Sequence, residues 1–210
     1  MFAMLNIQEI SRWEHKPINE VVQIHLDTFT GFFLTFMGRG FLKQMYSAYC
    51  SHNKSGLYVA FADGKPVGFL AYSSDMSGLY KYMIKKRLIP FAWYAAGACL
   101  RKPKTFMRIV RAFLKPGESK REEAYVELAS IGVSPHGKNQ GIGTQLIQKL
   151  ILETDFEKYA YICLETDVVD NDSVNQFYQR NNFAWVRTYE TPEHRQMNEY
   201  RYSPKEKEMT

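Results

Sequence analysis

A chain of 210 residues with 45% hydrophobic and 15% aromatic side chains can fill a sizeable core, which excludes a disordered protein and fits one domain with an insertion. The net charge of +5 at pH 7 is unevenly spread. From Met76 to Gly117 there are ten Lys and Arg and no Asp or Glu, so that segment carries +10 and the remainder −5.

Residues 4–10, MLNIQEI, alternate as a first strand. Asn19 is the expected cap of a helix whose Val22, Leu26 and Phe29 recur at helical spacing. FLKQMYSAYC predicts a second helix with Phe41, Met45 and Tyr49 on one stripe. GLYVAFADGKPVGFLAYS predicts a hairpin, two β-rich runs around Asp63-Gly64. Residues 79–117 then break the strand pattern. LYKYMIKKRL runs up to Pro90, and FAWYAAGACL follows, too short to span a bilayer. KTFMRIVRAFLK is amphipathic, with Phe106, Ile109, Val110 and Phe113 on one face and Lys104, Arg108, Arg111 and Lys115 on the other.

EEAYVELASIGVSP returns to strand, TQLIQKLILETDF predicts a helix, AYICLETDV a strand and SVNQFYQRN a helix. FAWVRTYE and NEYRYS supply closing strands. The expected organisation is one α/β domain over 1–202, with the basic helical insertion at 79–117 and a polar tail at 203–210. The opening MFAMLNIQEISRWEHK lacks the basic start and long apolar run of a secretory leader. Cys50, Cys99 and Cys163 show neither CxxC nor metal spacing, which fits free thiols in a reducing cytoplasm. The histidines at 15, 25, 52, 136 and 194 also lack metal spacing, so no metal is expected.

Gly137, Gly141 and Gly143 stand within seven residues at the mouth of a predicted helix. A strand, a glycine turn and a helix start form an anion site, because free N–H groups point outward and the helix dipole favours negative charge. A P-loop would need lysine between Gly143 and Thr144, and a dinucleotide fingerprint would need glycine where Leu146 stands. The stretch instead resembles the acetyl-CoA-binding motif of the GNAT acetyltransferases, Gln/Arg-x-x-Gly-x-Gly/Ala after Val-x-Pro. Here it reads Val133-Ser134-Pro135, then Lys138-Asn139-Gln140-Gly141-Ile142-Gly143, with Lys138 as the departure. The family's downstream Asn-x-x-Ala-x-x-x-Tyr-x-x-x-Gly-Phe is matched by Asn171, Val174, Tyr178, Asn182 and Phe183. Asn in place of Gly is tolerable because Asn enters the left-handed region readily.

The resemblance implies an α/β fold with a mixed, mostly antiparallel central sheet flanked by helices, and acetyl-CoA as co-substrate. It puts the pyrophosphate on the backbone around Lys138, Asn139, Gln140, Gly141, Ile142 and Gly143, with Thr144 adding a hydroxyl. It puts pantetheine against Ile131, Gly132 and Val133, and assigns Asn171 to the cofactor side. A tight strand–helix turn with no ligand is the alternative.

Acyl transfer to an amine needs a neutral nucleophile, a stabilised oxyanion and a proton for the departing thiolate. Tyr178 stands where the family often places the general acid; the competing reading is a packing aromatic. Glu127, eleven residues before Lys138, matches the catalytic glutamate of the family's histone acetyltransferases; the competing reading is a solvated strand residue. His25 reads as a satisfied structural histidine, with a place at the substrate cleft as the alternative. His136 reads as solvent-facing.

The basic insertion is expected to cover the acceptor side and to favour an anionic small-molecule amine, such as an amino-sugar nucleotide. A second reading lays its amphipathic helix on an anionic membrane surface, and a solvated basic face over a packed helix is the alternative without a ligand. Nucleic acid is not the expected partner, since the basic face has little aromatic interleaving and no nucleic-acid fold is recognisable. Aromatics at 91–94 offer a contact for a homodimer. The expected function is direct acetyl transfer from acetyl-CoA to a primary amine. An O-acyltransferase, a longer-chain acyl-CoA transferase or a non-catalytic CoA-binding module stand as alternatives.

Overall fold

In a computed structural model the chain folds around one seven-stranded sheet; the structure describes residues 5–11, 14–30, 32–86, 123–192 and 194–204. The strands are β1 (Asn6–Glu9), β2 (Ser55–Ala62), β3 (Lys65–Ser73), β4 (Tyr125–Val133), β5 (Tyr161–Asp167), β6 (Ala184–Glu190) and β7 (Gln196–Tyr202). Their order is β1-β2-β3-β4-β5-β7-β6, and every neighbouring pair is antiparallel except β4 with β5.

The helices are α1 (His15–Thr28), α2 (Phe33–Met37), α3 (Arg39–Tyr49), α4 (76–86), α5 (Ile142–Glu153) and α6 (Asp172–Arg180). Residues 87–122 and 205–210, and with them FAWYAAGACL, KTFMRIVRAFLK and the aromatics at 91–94, lie outside the described residues. Among the described residues, no helix is long and apolar enough to cross a membrane, and no His/Cys/Asp/Glu group has the make-up of a metal site.

The hairpin forms where the Asp-Gly pair predicts it. Asp63 and Gly64 both take positive φ, 49° and 72°, the backbone of a tight turn whose twist matches the strands. The first helix departs from expectation. It begins at His15, and Asn19 is an exposed residue within it rather than its cap. Pro17 lies in the first turn, where a missing N–H costs nothing because the first four helical amides have no intrahelical acceptor. Packing of Ile18, Val21, Val22 and Ile24 then outweighs the local capping signal.

Two apolar clusters lie on opposite faces of the sheet. On one face α1, α3 and α4 cover β2 and β3 through Val22, Leu42, Tyr46, Val59, Phe69 and Leu79. On the other, α5 and α6 press Leu146, Leu150 and Tyr178 onto Leu128, Ile162 and Tyr200. Alternation along each strand sorts the side chains between these faces. On β7 the buried Glu199 accepts from Arg187 Nε at 2.7 Å and from Arg201 Nε at 2.9 Å, so the buried charge is paired.

Candidate active site

β4 pairs with β3 along its length, from Gly68↔Val133 to Ser73↔Glu127. With β5 it pairs only at Tyr125↔Tyr161, Val126↔Ile162 and Glu127↔Cys163. Past Glu127 the two strands part, and no described strand pairs with the β5 side of Leu128 to Val133. Ile131, Gly132 and Val133, which the family resemblance puts against the cofactor, lie in this parted stretch. The register against β3 also slips by one residue at Ala129, a β-bulge. Ala129 and Ser130 consequently both face α1 and α3, as does Glu127, while Val126, Leu128, Ile131 and Val133 face α5.

The chain leaves β4 through a 3₁₀ turn, Pro135–Gly137. The turn is tied back by Ser134 N–H donating to Val67 C=O at 2.8 Å and by Thr28 Oγ1 donating to Val133 C=O at 3.2 Å. Asn139 and Gly141 both take positive φ, 61° and 74°, and Gly141 caps α5. A Cβ on Gly141 would meet nothing within 4 Å, so glycine is needed there for its backbone. Gly143 differs. Its Cβ would stand 3.0 Å from Phe177 Cζ, so glycine there lets α6 close on α5.

The first bond of α5 runs from Gln145 N–H to Gly141 C=O at 3.0 Å, and no side chain caps the helix. Among the described residues nothing accepts from the N–H groups of Ile142, Gly143 and Thr144. Those three amides and the helix dipole form a ready anion cradle. Lys138, Asn139, Gln140 and Gly141 are exposed beside it, and Gln140 Nε2 donates to His136 C=O at 3.1 Å. The Ile142 side chain is buried, leaving that residue its amide to offer.

Asn171 precedes α6, and its carboxamide nitrogen donates to Thr166 Oγ1 at 2.8 Å and Asp167 C=O at 2.9 Å, fixing α6 to the end of β5. Tyr178, at the far end of α6, packs its ring against Phe177, Phe183 and Tyr200. Among the described residues its hydroxyl has no hydrogen-bond partner, and the residue is only 6% exposed. Burial pushes the phenol well above its ordinary range.

Glu127 occupies the last paired position before the strands part, on the opposite face from Tyr178. Two tyrosines gather near it, Tyr49 from α3 and Tyr80 from α4. Burial raises both phenols, and the charge of Glu127 raises them further. The turn and Tyr178 are thus neighbours through the Phe177–Gly143 contact, while Glu127 lies on the other face of the sheet, near Tyr49 and Tyr80. The sequence reading placed Tyr49 on an apolar stripe and did not single out Tyr46, Tyr80 or Ser130. A serine and a glutamate in the otherwise apolar run YVELASIGV were the available signal for the last.

His25 departs from the expectation of a satisfied structural histidine. Its Nδ1 is hydrogen-bonded to Tyr46 Oη at 2.7 Å, but Nε2 is buried without a partner. Burial lowers its pKa from 6.5 to about 4, so the native ring refuses a proton that the unfolded chain accepts. The stability from this group is present above pH 6.5 and is lost as pH falls through about 4. The full difference is about 3 kcal/mol. Urea unfolding at pH 7 and pH 4 checks this: His25→Phe should lose less stability on acidification than the wild type, and equal losses would refute it.

A mixed sheet with one parallel pair that opens beside a glycine-turned helix start is the architecture of an acyl-CoA-type acetyltransferase. The Acetyltransferase (GNAT) family model matches residues 18–183, and the chain belongs to that family. Solved structures share the fold at low identity. Drosophila melanogaster polyamine N-acetyltransferase aligns with a TM-score of 0.57 and 11% identity, over 95% of this chain and 100% of that one. Arabidopsis thaliana NAA60, solved with acetyl-CoA, aligns at 0.55 and 17%, over 95% and 98%. The Escherichia coli ribosomal-protein-S18-alanine N-acetyltransferase aligns at 0.56 and 13%, over 95% and 94%. No curated protein matches the chain.

Proposed function

We propose that this protein transfers the acetyl group of acetyl-CoA directly to a primary amine of a small acceptor, within a single catalytic domain spanning 1–202. The observation that carries the reading is the split between β4 and β5 opening beside three amides that no described group engages. The diphosphate of the co-substrate fits those amides, and its amide-bearing arm fits the unpaired edge of Ile131 to Val133. Asn171 holds the α6 side of the cleft.

An alkyl ammonium with a pKa near 10.4 is neutral in roughly one molecule in 2,500 at pH 7, so a base is required. Glu127 takes that proton, directly or through water, from the face where Tyr49 and Tyr80 gather. Tyr178 serves the departing sulfur. Its raised pKa keeps it protonated, and full transfer to a thiolate of ordinary pKa near 8.5 runs uphill, so it acts chiefly by donating a hydrogen bond to the developing charge. No covalent carrier is needed, and Cys163 is buried within β5.

The acceptor carries an anionic group, as in an amino-sugar nucleotide. Ten Lys and Arg between Met76 and Gly117, without a single carboxylate, support this choice. Reversing Arg108 and Arg111 to Glu should raise the KM of an anionic acceptor at least tenfold and leave that of a neutral amine within twofold. Equal effects on both would remove the anionic reading. The direct test of the whole function is an amine panel containing a hexosamine phosphate, a polyamine and a lysine peptide, with acetyl-CoA as donor and free thiol as readout. Release of thiol with alcohols alone would favour O-acyl transfer, and tight acetyl-CoA binding without turnover a non-catalytic module.

A further inference from the structure

Asn175 lies within α6, where asparagine is a weak helix former and leucine would serve the helix better. It is partly buried, and its carboxamide makes four hydrogen bonds, all that the group can make. Nδ2 donates to Asn171 C=O at 2.9 Å and to Asp167 C=O at 3.1 Å. Oδ1 accepts from Asn198 Nδ2 at 3.0 Å and from Tyr200 Oη at 2.9 Å.

The direction of each amide follows from its partners. Backbone carbonyls only accept, so the nitrogen of Asn175 must face them. Asn198 Oδ1 accepts from Trp185 Nε1 at 3.2 Å, and an indole N–H only donates, so the Asn198 nitrogen is left for Asn175. One directed chain therefore runs from the edge strand β6 through β7 to α6 and ends on Asp167, the last residue of β5.

That end point belongs to the split. Val168 N–H donates to Gln196 C=O, so by alternation Asp167 turns its carbonyl to the side that β4 has left. No described strand takes that carbonyl. Two carboxamides of the α6 segment do, from Asn171 and Asn175. Asn171 alone ties only the start of the helix to β5. Asn175, one turn on, adds a second tie to β5 and two to β7, and attachment on both sides fixes the roll of the helix. Tyr178 follows three residues later on the same face. Tyr200 reaches both residues: its hydroxyl bonds Asn175, and its ring centre lies 6.1 Å from that of Tyr178. Ring packing is non-directional, whereas these bonds are not.

We propose that Asn175 is a positioning residue for acetyl transfer: it fixes the roll of α6 on the lip of the split and so aims the Tyr178 hydroxyl at the departing sulfur. The role rests on the reading of Tyr178 given above, and its test keeps the two apart.

The experiment is steady-state kinetics with acetyl-CoA and the best amine of the panel, beside melting temperatures. It compares the wild type, Asn175→Leu, Tyr200→Phe, Tyr178→Phe and the double variant of Asn175→Leu with Tyr178→Phe. Asn175→Leu removes all four bonds while favouring the helix, and should lower kcat about tenfold with the KM for acetyl-CoA within threefold. Tyr200→Phe removes one bond and keeps the ring, and should cost about threefold. In the double variant Asn175→Leu should cost less than twofold beyond Tyr178→Phe, because no hydroxyl is left to aim. A residue that merely packs would cost the same in both backgrounds. Should Asn175→Leu fail to fold, Tyr200→Phe combined with Tyr178→Phe runs the same cycle. Full kcat in Asn175→Leu, or equal losses with and without the Tyr178 hydroxyl, overturn the positioning role alone. Full kcat in Tyr178→Phe overturns the role of that tyrosine and this proposal with it. A wild type that acetylates no amine overturns the transfer reading and both roles.

Discussion

Tyr178→Phe lowers kcat on the order of 100-fold while calorimetric affinity for acetyl-CoA stays within twofold of the wild type. The magnitude is that of losing one general acid or the hydrogen bond that replaces it. The variant is a clean one, because the hydroxyl has no partner among the described residues to be left unmet and the ring keeps its contacts with Phe177, Phe183 and Tyr200. Glu127→Gln, which keeps shape and removes the base, should cost a comparable factor, recovered in part by raising the pH toward the pKa of the acceptor ammonium. A protein that merely binds CoA would show no loss in either variant. Unaltered turnover in Tyr178→Phe would also return that residue to a packing role.

Gly143→Val should weaken acetyl-CoA binding on the order of 100-fold and lower stability by about 1–3 kcal/mol, the usual cost of overpacking. The added Cβ would stand 3.0 Å from Phe177 Cζ and 3.3 Å from Cε2, and the two γ-methyls demand more room still. Relief comes from moving α6, which carries Tyr178 on the next residue, so kcat should fall with affinity. Gly141→Ala is the control. It meets no atom within 4 Å and carries only the left-handed backbone cost of roughly 1–2 kcal/mol. Melting curves and titration calorimetry on the two variants separate collision from conformation. Full affinity in Gly143→Val would remove the link between the turn and α6.

The turn and the second motif were legible because their signals are local. Gly141 takes the positive φ that its place in the motif requires, and Asn182, standing for the family's glycine, takes φ 65°. Asp63-Gly64 announced its hairpin for the same reason. Signals failed where distant packing decides. Asn19 looks like a cap, but burial of Ile18 starts the helix earlier. The stripe Phe41, Met45, Tyr49 was readable as core, whereas Tyr46 on its flank gained meaning only through a bond to a residue 21 positions away. The opposed placement of Tyr178 and Glu127 depends on which strands pair, and β4 chooses both of its neighbours from far along the chain.

Ala129 sets the parity of its strand. Odd-numbered side chains look one way before it and even-numbered ones after it, which is how positions 127 and 130 come to share a side although counting by twos would separate them. Excising that single alanine would remove the bulge and turn neither half over: Leu128 and Ser130 would follow in strict alternation opposite Tyr72 and Ala71, each on its present face. What the extra residue contributes is a local kink and added twist, two positions beyond the last residue of β4 that pairs with β5.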